Sequence, residues 1–281
     1  MKLSTTVIVD RLESPFRLAG KTVLLGSCFA DNMGARMASA GFDVCTNPFG
    51  TLYNPASILN AVRRLDSDSL FTPADCVPMG ADAGRICSFE HHTSFSRPDA
   101  AEFLAHANEC LLHAREFWRS ADRVIITLGT AMTWSHDGKV VSNCLKRPAA
   151  EFERRMLDEE EIRACLQQII DSHPEKRFLL TVSPIRHLGD GAHLNAVSKA
   201  RLLLAADACK GADYFPAYEI LLDELRDYRF YAEDMVHPSP VTVNIIWERF
   251  LDACVALEDL AQVAENEKAA RRSAHRPLSD R

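Results

Sequence analysis

Two short stretches carry side chains able to do covalent chemistry. In LLGSCFADNMG, residues 24–34, an apolar run ends at Gly26, and a hydroxyl (Ser27) and a thiol (Cys28) follow side by side before a helical pattern begins. A side chain on a turn that opens a helix meets unpaired backbone N–H groups and the positive end of the helix dipole. That setting stabilises a thiolate and an oxyanion alike. The second stretch, EDMVHPSP over 233–240, puts Asp234 three residues before His237. At that separation within a loop the carboxylate can hold the Nδ1 proton and leave Nε2 as a base. Each stretch taken alone has a plain structural reading. Ser27 would cap a helix over a buried, inert Cys28, and Asp234 and His237 would be solvated loop residues.

The elements that must bring these stretches together are legible as alternating periodicities. KTVLLG (21–26), RVIITLG (123–129) and RFLLTVSP (177–184) are short apolar runs of the kind buried in a parallel sheet, with FDVCTN (42–47) and DYFPAY (213–218) as further strands. Phe29, Met33 and Met37 form one stripe of a helix after the first strand. Asn54 as cap and Pro55 at the first turn open a helix over 54–65. Further helices are expected over 99–120, 158–172 and 195–209, and a last one opens at Ser239-Pro240. Asp137-Gly138 between β-prone flanks predicts a hairpin. Strands spaced by helices give an α/β fold, a three-layer α/β/α sandwich on a mostly parallel, doubly wound sheet. Residues 66–150 break the rhythm and read as an insertion, its irregular part about 66–120, inside one domain spanning 1–262. The polar segment 263–281 reads as a flexible tail, a fraying helix or disordered.

In such sheets ligands bind beyond the carboxyl ends of the strands, where Ser27/Cys28, Gly129-Thr130 and Ser183-Pro184 fall. Arg186-His187 lies at the last of these ends and suits an anionic substrate group, with loop salt bridging as the alternative. Tyr53, Trp134 and Tyr231 are candidates to line a pocket. His91-His92 reads as surface or site-wall histidine, because no carboxylate spacing beside it suits a metal.

Composition narrows the function. The 281 residues are 47% hydrophobic and 25% charged, which is globular. A net charge of −7 argues against a nucleic-acid surface. Nine cysteines without a CxxC pair, no signal-like apolar leader and no run of 18 apolar residues predict a reduced, cytoplasmic protein without a membrane span. With no phosphate-binding glycine loop and no metal spacing, neither a cofactor nor a metal is expected.

GSCFA at 26–30, NPFGTLYNP at 47–55, TLGTAMTW at 127–134, TVSPIRHLGDG at 181–191 and LRDYRFYAEDMVHPS at 225–239 resemble the bacterial GSCFA-domain family, within the SGNH (GDSL-type) hydrolase superfamily. The resemblance spans roughly 20–255. It implies a triad in which Asp234 and His237 match the Asp-x-x-His pair. The nucleophile falls two places after the glycine, at Cys28, with Ser27 as the alternative. It implies Gly50 as an oxyanion donor. The pattern's Asn falls at Ala131, so Thr130 or Asn143 would have to replace it. The expected activity is hydrolysis or transfer of a small acyl group, such as acetyl on a carbohydrate, through an acyl-enzyme formed from an ester or thioester. The alternatives are a catalytically silent binding module on the same fold and a papain-like cysteine peptidase.

Overall fold

The computed structural model describes residues 5–80 and 84–274. Five parallel strands make the central sheet: β1 (Lys21–Gly26), β2 (Asp43–Thr46), β5 (Arg123–Leu128), β9 (Arg177–Val182) and β10 (Ala212–Tyr214), in the order β10-β9-β5-β1-β2. The expected three-layer α/β sandwich is the observed one.

Strand side chains alternate between the two faces, so each apolar run feeds two cores. Val23, Leu25, Val124, Ile126, Phe178 and Leu180 point into one core. That core is covered by α2 (Pro55–Asp66), α3 (Ala100–Ser120), α4 (Glu159–Asp171) and α5 (Ala192–Asp207). Leu24, Ile125 and Leu179 point into the other. It is covered by α1 (Cys28–Ser39), α7 (Pro240–Cys254) and α8 (Leu260–Ala274). Between them the chain runs through α6 (Ala217–Glu219) and a π-helical turn, Ile220–Leu225. Asn54, Asp99, Asp158 and Ser239 cap their helices through side-chain oxygens, as their residue types dictate.

Two boundaries differ from the sequence reading. The insertion expected over 66–150 is not one piece, because α3 and β5 within it belong to the sandwich. What interrupts the layers is a two-stranded ribbon, β3 (Val77–Pro78) with β4 (Ile86–Cys87), and a three-stranded sheet. In the latter β6 (Met132–His136) pairs with β7 (Lys139–Val141) and β8 (Glu153–Met156). Asp137 and Gly138, both at positive φ, make the expected hairpin turn between β6 and β7. The start of the segment expected as a tail is part of α8 instead. Val263 is buried, Asn266 donates to the Ala40 carbonyl, and Glu267 accepts from the Trp247 indole. Residues 275–281 lie outside the described ones.

From β1 the chain passes through α1 to β2 on one side, while β5 flanks β1 on the other. The direction of winding therefore reverses between β1 and β5, which opens a crevice at their carboxyl ends. Gly26 closes β1 there at φ +138°, and a Cβ on it would lie 2.1 Å from the Thr127 carbonyl oxygen. Only glycine permits that approach, so the turn carrying Ser27 and Cys28 sits tight against the end of β5.

Candidate active site

The turn fixes two adjacent side chains in different roles. Ser27 is fully buried and is the N-cap of α1, its Oγ accepting from the Phe29 N–H at 3.3 Å. Its backbone carbonyl takes the Ala30 N–H. Cys28, the first helical residue, is half-buried and turns its sulfur into a cavity of about 390 Å³. The cavity is also lined by Tyr53, Asn54, Thr130, Trp134, His187 and His237.

His237 Nε2 lies 3.5 Å from Cys28 Sγ, within hydrogen-bonding range for sulfur. Its Nδ1 is 2.6 Å from Oδ2 of Asp234. Asp234 Oδ1 in turn accepts the backbone N–H groups of Val236 and His237, both at 2.9 Å. Those bonds hold the Asp234 carboxyl down at about 2, so it stays ionised opposite the imidazole. The loop itself is pinned by the bridge Tyr231–Pro238 and by Arg186, whose N–H and Nη1 donate to the carbonyls of Val236 and Met235. The structure thus brings together Cys28, His237 and Asp234 and leaves Ser27 as a cap.

Burial raises the Cys28 thiol above its ordinary range, and Asp31 adds to this. Its own backbone N–H and Lys199 pull the other way without winning. That direction disfavours a preformed thiolate at Cys28.

The expected oxyanion donors fare differently. Gly50 is a correction: its N–H is spent on the Asn47 carbonyl at 2.7 Å, closing a turn. Asn143 is a second: its Oδ1 accepts from Leu145 N–H in another turn, and it does not line the cavity. Thr130 does line it, yet its N–H goes to the Tyr53 carbonyl and its Oγ1 pairs with Ser198.

His187 also departs from expectation as an anion-binding cation. Burial, with help from Lys199 and His237, lowers it to about 4, so the ring is neutral. It packs edge-on to Tyr53 and over Gly129, where a Cβ would come within 3.3 Å of its Nε2. Arg186 sits at the mouth, with its guanidinium over the rings of Tyr231 and Tyr228. On the opposite rim Arg154 covers Trp134 and is paired with Asp190. His91 is neither surface nor site wall: it is buried among Phe49, Phe71, Phe95 and Phe103, with Nδ1 on Ser88 Oγ. His92 caps a short 3₁₀ turn.

Of three supporting residues, Asn47 and Lys199 carry no sequence signal that singles them out, and Asn54 carries one for only part of its role. Asn47, at φ +44°, accepts from the Gly26 N–H and donates to Asp31, tying the Gly26–Cys28 turn to α1. Lys199 is buried and donates to the carbonyls of Gly129 and Ser183, at the ends of β5 and β9. Asn54 was visible as a helix cap but not as a cavity residue.

A larger cleft of about 830 Å³ lies along α2, lined by the Arg64–Glu90 ion pair, Arg63, His136 and Lys139. It contains none of Cys28, His237 and Asp234, whereas Cys28 and His237 line the smaller cavity. Among the described residues no cluster of three or more His, Cys, Asp or Glu is placed to hold a metal.

The GSCFA family profile matches residues 21–250, and the chain belongs to that family. No curated protein sequence matches it. Solved structures aligned to it include a protein described as lipolytic, of the G-D-S-L family, from Desulfitobacterium hafniense DCB-2. That pair is 11% identical, covering 81% of this chain and 95% of the other, with a TM-score of 0.39. A family two carbohydrate esterase from Clostridium thermocellum is 13% identical, covering 86% and 65%, with a TM-score of 0.36. An acetyl xylan esterase from Butyrivibrio proteoclasticus is 11% identical, covering 83% and 63%, with a TM-score of 0.39.

Proposed function

We propose that the protein is an acyl-ester hydrolase or acyltransferase working through a thioester on Cys28. The observation that carries this reading is the unbroken chain Cys28 Sγ–His237 Nε2–Asp234 at 3.5 and 2.6 Å, opening on a cavity. As sulfur bonds to the substrate carbonyl carbon, the thiol proton passes to His237 Nε2 and the carbonyl π pair moves to oxygen. Collapse of the tetrahedral oxyanion breaks the bond to the leaving alcohol, which takes the proton from His237. Water or a second alcohol then adds to the thioester, giving its proton to His237, and the thiol is regenerated. Asp234 holds the ring orientation and stabilises the imidazolium.

The size of the cavity suits a small acyl group such as acetyl. Trp134 and Tyr53 offer flat faces to a carbohydrate, and Arg186, which has no acidic partner among the described residues, suits a substrate carrying an anionic group. All nine cysteines are free, which fits a reducing cytoplasmic compartment. No helix among the described residues is long and apolar enough to cross a membrane.

A catalytically silent binding module is the second reading, favoured by the raised thiol and by the commitment of the Gly50 N–H elsewhere. Turnover of p-nitrophenyl acetate and acetyl-thioesters by the wild type, with Cys28→Ala and His237→Ala, decides between them. Acyl transfer requires release of p-nitrophenol and a mass increase on Cys28, both lost in either variant. Turnover that survives all of Cys28→Ala, Ser27→Ala and His237→Ala would exclude the mechanism.

A further inference from the structure

The developing oxyanion needs at least one donor besides the Cys28 N–H, and the expected ones are occupied. The Gly50 N–H goes to Asn47, the Thr130 N–H to Tyr53, and Phe29 and Ala30 both donate to Ser27. Asn54 offers an unspent donor in the cavity wall. It is 5% exposed, and its Oδ1 accepts the Ser57 N–H at 2.9 Å as the cap of α2. That bond identifies the oxygen and so fixes which way the amide nitrogen turns. Among the described residues Nδ2 has no hydrogen-bond partner, and it is not one of the buried polar atoms sealed from solvent. Asn54 lines the same cavity as Cys28 and His237, and its amide nitrogen is left without a partner there.

The backbone carrying Asn54 is held over the nucleophile turn. Leu52 N–H donates to the Gly26 carbonyl at 2.8 Å, and the Tyr53 carbonyl accepts from both Gly129 and Thr130, at 2.9 and 2.8 Å. Residues 52–54 are thus clamped across the ends of β1 and β5, on either side of the crevice. A helix cap needs only an oxygen, which serine or aspartate supplies as well. The amide's two N–H groups are surplus to capping.

We infer, resting on the acyl-enzyme reading above, that the Asn54 carboxamide is a catalytic donor to the oxyanion formed at Cys28, supplied from the α2 cap rather than from the strand end at Ala131. Rigid anchoring of the same group through its oxygen means that little reorganisation accompanies the attack, which is what makes such a donor effective. No proton leaves Asn54: its Nδ2–H hydrogen-bonds the oxyanion while the electron pair resides there, and releases it when the carbonyl reforms.

The test compares two reactions of one sulfur. Acylation by p-nitrophenyl acetate passes through an oxyanion; alkylation by iodoacetamide does not. Asn54→Ser keeps a capping oxygen and removes the amide donor, and Asn54→Asp keeps the cap and the side-chain length. In both, acylation of Cys28 is expected to fall roughly 10²–10³-fold. In Asn54→Ser, alkylation and the melting temperature stay at wild-type values. Acylation of both variants at the wild-type rate would overturn the inference, as would an equal fall in acylation and alkylation of Asn54→Ser. A wild type that is alkylated but never acylated would instead overturn the acyl-enzyme reading, and the inference with it.

Discussion

Cys28 and His237 lie 209 positions apart in the chain and 3.5 Å apart in space. Burial raises the thiol, so proton removal is coupled to attack rather than completed beforehand. Iodoacetamide alkylation of Cys28 is therefore expected to be slow at neutral pH and to climb still at pH 9, where an ordinary thiol is levelling off. A rate already on its plateau below pH 8 would show a resting thiolate–imidazolium pair and contradict the geometry's electrostatics.

Ser27→Ala separates the neighbouring hydroxyl from the chemistry. The change removes the cap oxygen on Phe29 N–H at a buried position. A stability loss of about 1 kcal/mol is expected in urea titration. Acylation of Cys28 should stay within about threefold of wild type, whereas Cys28→Ala shows none. Loss of acylation in a folded Ser27→Ala would return the hydroxyl to candidacy as nucleophile.

Asn47 carries more of the site than its place in a loop suggests. Its amide joins the Gly26 N–H to the Asp31 carboxylate, and its backbone sits at φ +44°, which asparagine tolerates better than most residues. Asn47→Ala leaves a buried N–H unpaired and strains the backbone, so a loss of about 2–3 kcal/mol is expected. Because the Gly26–Cys28 turn loses its brace, Cys28 acylation should fall as well. Asn47→Gly relieves the backbone strain but not the lost bonds, and should recover only part of the stability.

The sequence makes some of this site plain and hides the rest for identifiable reasons. Cys28, Asp234 and His237 stand out because each signal is local: a turn between a strand and a helix, and an acid three residues before a base. The central strands were visible because burial on both faces leaves them uniformly apolar. Strand β8 was missed because Glu153, Arg154 and Arg155 are exposed, charged and without alternation. The neutrality of His187 and the pairing of Lys199 with two carbonyls depend on neighbours far along the chain, which residue type alone does not encode. Asn54 was read for its oxygen, since capping explains the residue without any appeal to its nitrogen. The segment after residue 262 reads as a tail because, among its described residues, only Val263 is both apolar and buried.

Lys199 gives a pH dependence whose sign is set by burial. Its ammonium is enclosed, with the Gly129 and Ser183 carbonyls as its hydrogen-bond acceptors among the described residues, and desolvation lowers it to about 7, with Cys28 opposing. The unfolded lysine titrates near 10.4, so between about 7 and 10 the unfolded chain binds more protons than the folded one. Stability from this group is then greatest above pH 10 and lost as pH falls through about 7. Several thiols raised by desolvation, among them buried Cys87 and half-buried Cys45 and Cys209 at about 11, work in the opposite sense at higher pH, so the informative window is pH 7–8.5. There the urea stability of the wild type should rise with pH relative to Lys199→Met, by no more than about 1.4 kcal/mol per pH unit. The variant itself should be less stable by about 2–4 kcal/mol, because two buried carbonyls at the ends of β5 and β9 lose their donor. Parallel pH curves for the two proteins would mean that Lys199 keeps its proton across the window. The site would then hold a permanent positive charge beneath Cys28.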